Sequence, residues 1–164
     1  MLAPPTVNVK IFDGLDGLPH FNPDLDVEGA IAPAAVQNFR GEIGAADALL
    51  ICTPEYAHGV PGVLKNALDW LVSSSEMLFK PIGVLNVSPR STHAHASLAE
   101  TLRTMSTVIV DGAVLELPLA GTRLDADGIA ANPALAEKLR AALLALVDAA
   151  AEYRLRRQEL TEAR

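Results

Sequence analysis

Apolar and polar positions along the chain fall into two alternating kinds of segment. Short runs rich in aliphatic and β-branched residues are separated by longer stretches whose apolar residues recur at three- and four-residue steps. The short runs cover residues 7–13, 48–53, 82–87 and 108–117. In the first, Val7, Val9 and Ile11 alternate with Asn8 and Lys10, which predicts an edge strand with one wet face. Ala48-Leu49-Leu50-Ile51-Cys52-Thr53 and Ile82-Gly83-Val84-Leu85-Asn86-Val87 are continuous instead, as strands buried on both faces of a parallel sheet are. The fourth run is interrupted at Asp111-Gly112, which predicts two pieces. Helical periodicity begins near Pro33 and carries Val36, Phe39, Arg40 and Ile43 before Gly44. It is strongest over 60–72, where Val60, Val63, Leu64, Ala67, Leu68, Leu71 and Val72 form one stripe and Pro61 suits a first turn. A third helix covers about 94–105 with Leu98 and Leu102 inward. A last one starts at Asn132-Pro133, an amide cap followed by proline, and buries Leu135, Leu139, Leu143, Leu146 and Ala150. After Tyr153 the chain becomes charged, which predicts a solvated or frayed end. Strands alternating with helices predict an α/β fold: an open parallel sheet with helices on both faces.

Composition narrows the class. The 164 residues suit a single domain, 1–164. Half are apolar but only 4% aromatic, so the core must be aliphatic. Thirteen basic against 20 acidic residues give a net charge of −7, without the basic footprint of a nucleic-acid binder. No apolar run approaches the roughly 18 residues of a membrane span, and the first residues do not resemble a secretory signal. A single cysteine, Cys52, allows no internal disulfide and suits a reducing, cytoplasmic compartment. Cys52 itself reads as a buried strand residue.

Candidate chemistry gathers in two loops. In open α/β sheets ligands bind beyond the carboxyl ends of the strands, and the loops after Thr53 and Val87 both leave such ends. The first holds Pro54, Glu55, Tyr56, Ala57, His58 and Gly59; its small residues let a flat ligand approach the backbone, and Tyr56 adds an aromatic body with a polar tip. The same run reads equally well as a plain strand-to-helix turn. The second loop holds Ser88, Pro89, Arg90, Ser91 and Thr92. Arg90 is either a charge facing a ligand or an exposed arginine beside a helix start. His93 and His95, two apart, diverge in direction and read as surface residues, not metal ligands. Lys65 and Asp69, four apart, are set to pair on the helix surface. No metal ligand set and no catalytic side chain is assigned.

The run Thr53-Pro54-Glu55-Tyr56-Ala57-His58-Gly59-Val60-Pro61-Gly62-Val63-Leu64-Lys65-Asn66-Ala67-Leu68-Asp69-Trp70-Leu71 closely resembles the NAD(P)H-dependent FMN reductases, which include flavin, quinone and chromate reductases. Element order agrees over about 7–153. The resemblance implies a flavodoxin-like fold and an FMN whose isoalloxazine lies against residues 54–59 and 88–92. It implies hydride transfer from NAD(P)H to a flavin, quinone or similar small acceptor. It also implies a homodimer formed through the helix that carries Trp70. His58 stands where relatives usually carry a small polar residue, and would line the pocket mouth. The paired glycines common in the relatives' second flavin loop are absent here. So is the family's opening: a central strand followed by a Ser/Arg/Asn-rich loop that cradles the FMN phosphate. With strand order 2-1-3-4-5, that strand belongs between 7–13 and 48–53, unless 7–13 slides into the vacancy. The gap is read as a misplaced start or a truncated chain. Two further readings stand beside the enzyme. A cofactor-free, flavodoxin-like interaction or oligomerisation module would explain the missing phosphate loop. An electron carrier fits less well, because the 54–71 segment resembles the reductases.

Overall fold

The computed structural model describes residues 2–162. Three parallel strands, β1 (Leu49–Cys52), β2 (Pro81–Asn86) and β3 (Val108–Glu116), lie side by side in that order. Leu49 stands opposite Ile82 and Cys52 opposite Leu85, while on the far side Pro81 faces Val108 and Asn86 faces Glu116. Between the Ile82–Ile109 and Val84–Val114 pairs β3 accommodates extra residues. β3 stays one strand instead of the two pieces expected around Asp111-Gly112, because a bulge there absorbs the irregularity. The connecting helices are α1 (Ala34–Ala45), α2 (Gly62–Asp69), α3 (Thr92–Thr104), a short α4 (Ala126–Ala131) and the long α5 (Pro133–Glu162). Among the described residues no helix is long and apolar enough to cross a membrane.

The two faces of the sheet are covered unequally. Val36, Phe39 and Ile43 of α1, Ala67 and Leu68 of α2, and Leu98 and Leu102 of α3 bury Ile82 and Val84 on one face. On the other, α5 alone brings Ala142 and Leu146 down onto Ala113. Gly83 makes that approach feasible, since a Cβ there would lie 2.8 Å from Leu50 Cδ1, 2.9 Å from Leu146 Cδ1 and 3.1 Å from Ala113 Cβ.

Polar anchors tie the loops to this frame. Trp70 is fully buried, and its indole N–H donates to the Pro19 carbonyl at 2.8 Å while Phe21 packs edge-on at 5.0 Å. Asn66 supports the same turn, donating to Pro19 and accepting from the Phe21 amide. Arg40 spans the Trp70 carbonyl and the carboxylate of Asp26, both ends of that pair being largely buried. Lys80 is buried as well, its ammonium donating to the Ala46 carbonyl at the end of α1 and lying 4.9 Å from the Tyr153 ring. Burial lowers the Lys80 pKa to about 8.

Two expectations about placement need correction. Residues 7–13 form no strand. Lys10 pairs with Glu42, Phe12 packs 5.1 Å from the Phe39 ring, and Ile11 is left 84% exposed. An edge strand needs a neighbour to hydrogen-bond, and no described residue occupies the place beside β1; nor does 7–13 slide into it. Consequently the outer edge of β1 is unpaired among the described residues. Cys52 is exposed, not buried, because α5 packs on β2 and β3 and leaves the Leu50–Cys52 side of β1 uncovered. Trp70 itself lies inside the chain, so a contact between copies through this region would use the exposed side chains around it. The charged stretch after Tyr153 is solvated as expected, but it continues α5 to Glu162, steadied by Arg154 with Asp47 at 3.0 Å and by Arg157 donating to the Gly44 carbonyl.

Two stability measurements follow. Gly83→Ala is expected to lower unfolding stability by about 1–3 kcal/mol through overpacking, towards the lower end because two of the crowded atoms are leucine tips. An unchanged urea midpoint would mean that α5 does not close on β2 as described. Arg40→Ala is expected to cost about 3–5 kcal/mol, since it strands a buried carboxylate. The double variant with Asp26→Ala should lose less than the sum of the single changes. Burial works to raise the Asp26 pKa, but the Ser73 hydroxyl and the Arg40 charge outweigh it and hold the group below its ordinary 3.8. The contribution of Asp26 is therefore complete above pH 3.8 and is lost as the pH falls through the lowered folded value.

Candidate active site

The carboxyl ends of β1 and β2 are adjacent because the strands run parallel, so the two loops predicted to carry chemistry leave the same end of the sheet. The first begins with a buried Thr53 and an exposed Pro54. The Tyr56 and Gly59 backbones then hydrogen-bond each other, at 3.1 and 2.9 Å. Ala57 and His58 between them take φ of +49° and +60°. Positive φ at both central residues is the type I′ turn, which Asn-Gly usually fills. Here alanine and histidine occupy left-handed positions, a strain of about 1–2 kcal/mol each. The turn leaves Tyr56, Ala57 and His58 exposed and Gly59 half-buried.

The second loop is held by its own polar side chains. Asn86 Oδ1 accepts from the Ser88 amide at 3.0 Å, an Asx turn, and Ser91 donates back to the Ser88 carbonyl with Pro89 at the second turn position. Ser91 is buried; Pro89, Arg90 and Thr92 are exposed and Ser88 is half-buried. Arg90 thus has the solvent exposure of an arginine beside a helix start.

Glu55 joins the two loops. One carboxylate oxygen accepts the Ala94 amide in the first turn of α3 at 2.8 Å, while the helix's own cap residue, Ser91, makes no side-chain cap. The other lies 3.3 Å from His58 Nδ1. The Ala94 N–H, seconded by the charges of His93 and His58, holds the Glu55 carboxyl below its ordinary range. The His58 and His93 rings meet edge-to-face, with centroids 4.5 Å apart at 82°. The structure therefore brings Glu55, His58 and His93 together.

His95 departs from the surface position expected of it. Its ring is half-buried, Nε2 has no hydrogen-bond partner among the described residues, and burial lowers its pKa against the pull of Glu116 and Glu55. Lys65 and Asp69 do pair, at 2.5 Å on the surface of α2. Among the described residues no group of three or more His, Cys, Asp or Glu is placed to hold a metal ion. The clasp through Glu55 had no signal in the sequence, because its acceptor and donor lie 39 residues apart.

Comparison with known proteins gives this geometry a context. The family model described as NADPH-dependent FMN reductase matches residues 2–121. A quinone reductase of Pseudomonas putida is 34% identical over 157 residues, covering 93% of this chain and 81% of the relative. An NAD(P)H-dependent FMN reductase of Pseudomonas aeruginosa is 44% identical over 89 residues, which is 53% of this chain, and the match spans only 46% of that relative's length. The solved structure of a flavoenzyme NAD(P)H:(acceptor) oxidoreductase from Paracoccus denitrificans superposes with a TM-score of 0.63 at 29% identity, covering 85% of this chain and 78% of the other. The chain belongs to the NADPH-dependent FMN reductase family, flavodoxin-like NAD(P)H-dependent flavin and quinone oxidoreductases.

Proposed function

We propose that the chain is a single flavodoxin-like domain that reduces a quinone, flavin or similar small acceptor with NAD(P)H through FMN. The isoalloxazine end of the cofactor would rest on Pro54, Glu55, Tyr56, Ala57, His58 and Gly59 of one loop and Ser88, Pro89, Arg90, Ser91 and Thr92 of the other. The observation that carries this reading is the Glu55 clasp. It fixes two exposed loops into one rim at the carboxyl ends of adjacent strands, where a flat ligand can meet backbone.

The residues fit the ring end of FMN. Alanine and glycine at the turn leave the backbone open, Tyr56 offers an exposed aromatic face, and Arg90 supplies a positive charge. They do not fit the phosphate end: among the described residues no strand, loop and helix N-terminus stand beyond the outer edge of β1 to cradle it. The two-electron redox chemistry would come from FMN held on these loops. What the chain supplies is position. Glu55 holds the rim closed, and the left-handed turn keeps His58 at its mouth. The same unpaired edge of β1 favours the second reading, a cofactor-free interaction module.

A homodimer and a cytoplasmic location complete the proposal. Val63 and Val72, exposed on and just beyond α2, support the first, and a lone free thiol suits the second. Light scattering across micromolar concentrations should give twice the chain mass; a monomer throughout would remove the dimer.

Flavin titration tests the cofactor site. Each charge-assisted phosphate contact is worth about 1.5–3 kcal/mol, so their absence predicts weak FMN binding. Riboflavin, which lacks the phosphate, should then bind within about threefold of FMN. FMN binding ten times tighter than riboflavin would place a phosphate cradle within this chain and overturn that part of the account. No binding of either flavin at millimolar concentration would favour the interaction module.

A further inference from the structure

His58 is exposed, yet it is not loose. Its side chain is 77% accessible, but the backbone is fixed in a left-handed turn, Nδ1 faces the Glu55 carboxylate at 3.3 Å, and the His93 ring packs against it edge-to-face. Glu55 cannot swing away, because its second oxygen is held by the Ala94 amide. With Nδ1 3.3 Å from the carboxylate, the exposed ring has Nε2 as its other nitrogen, a proton donor when the imidazole is charged. The strain of placing histidine and alanine where Asn-Gly would fit more easily points to a use for the side chain.

The reaction proposed above leaves a role for such a group. Reducing a quinone to a hydroquinone takes two electrons and two protons. A hydride originating on NAD(P)H brings both electrons and one proton to the acceptor. The second proton must come from an acid beside the acceptor's oxygen, or a phenolate is left in the site. We propose that His58 is that acid: its Nε2–H bond breaks as the quinone O–H bond forms, with Glu55 and His93 as positioning residues. Solvent then restores the proton to the exposed ring. The charged and titratable groups facing His58 are Glu55 from its own loop and His93 from α3, with His95 and Glu116 behind Glu55. This assignment rests on the oxidoreductase reading.

Two acceptors separate the proposal from that reading. A benzoquinone needs the proton, whereas ferricyanide takes single electrons and none. With saturating FMN and NADH, His58→Gln is expected to lower the quinone-to-ferricyanide ratio of kcat/KM at least tenfold. It should also abolish the fall in quinone reduction on the alkaline side of the pH profile. Glu55→Gln should lower the same ratio by a smaller factor. A second readout needs no turnover. NMR of the cofactor-free chain should show proton–proton contacts between the His58 and His93 rings, and His93→Phe should move the His58 ring resonances. Turnover of both acceptors with an unchanged ratio overturns the proposal alone. Absence of ring-to-ring contacts in the wild-type chain overturns the positioning by His93. If the wild-type chain reduces neither acceptor, the oxidoreductase reading fails and the proposal with it.

Discussion

Parallel pairing of β1 with β2 is the constraint on which the rest depends. Parallel strands cannot be joined by a tight turn, so the chain must cross over through α2 and return to the same starting end. The obligatory result is that both strands release their loops at one end of the sheet. The crossover helix has to be seated for this to work. Asn66 and Trp70 anchor it to the turn at Pro19, and Arg40 reaches its terminal carbonyl from α1. These part-buried polar contacts hold this one connection in register.

The site built on that frame combines rigid and strained parts. Carboxylate capping of α3 by Glu55 is favourable, because it satisfies an amide that Ser91 leaves without a side-chain partner. The left-handed Ala57 and His58 are unfavourable by comparable amounts. The clasp and the turn lie in the same few residues, so the stable contact holds the strained one in place. That coupling explains how a histidine can sit at a loop tip with a defined direction.

Much of this was legible from residue order. The continuous apolar runs at 48–53 and 82–87 marked β1 and β2, the stripe over 60–72 marked α2, and Asp111-Gly112 marked the bulge in β3. These signals are local, and the elements they name are decided by local periodicity with burial. The failures all concern partners. Alternation at 7–13 describes a segment fit to pair, but pairing needs a neighbour that none of the described residues provides. Trp70 donates to the distant Pro19 carbonyl, a partner that no local pattern signals. Cys52 sits in a run that reads as doubly covered, while α5 reaches only β2 and β3. The loops were recognised as a site, but the contacts through Glu55 and between two imidazoles join residues far apart in the chain and left no periodic trace.

Among the described residues the outer flank of β1 is bare, and this has a colloidal consequence. Leu49-Leu50-Ile51-Cys52 carries no lysine, proline or bulge, the devices by which natural sheets keep strangers from annealing to their rims. Its backbone is a template for any extended polypeptide that comes alongside, a second copy included. The net charge of −7 opposes annealing of further copies along that edge, at long range and only while the solvent lets it. At 1 M salt the screening length shrinks to about 3 Å, less than the spacing of neighbouring strands. Ionic strength thereby sets how closely another polypeptide can approach that uncharged strand edge.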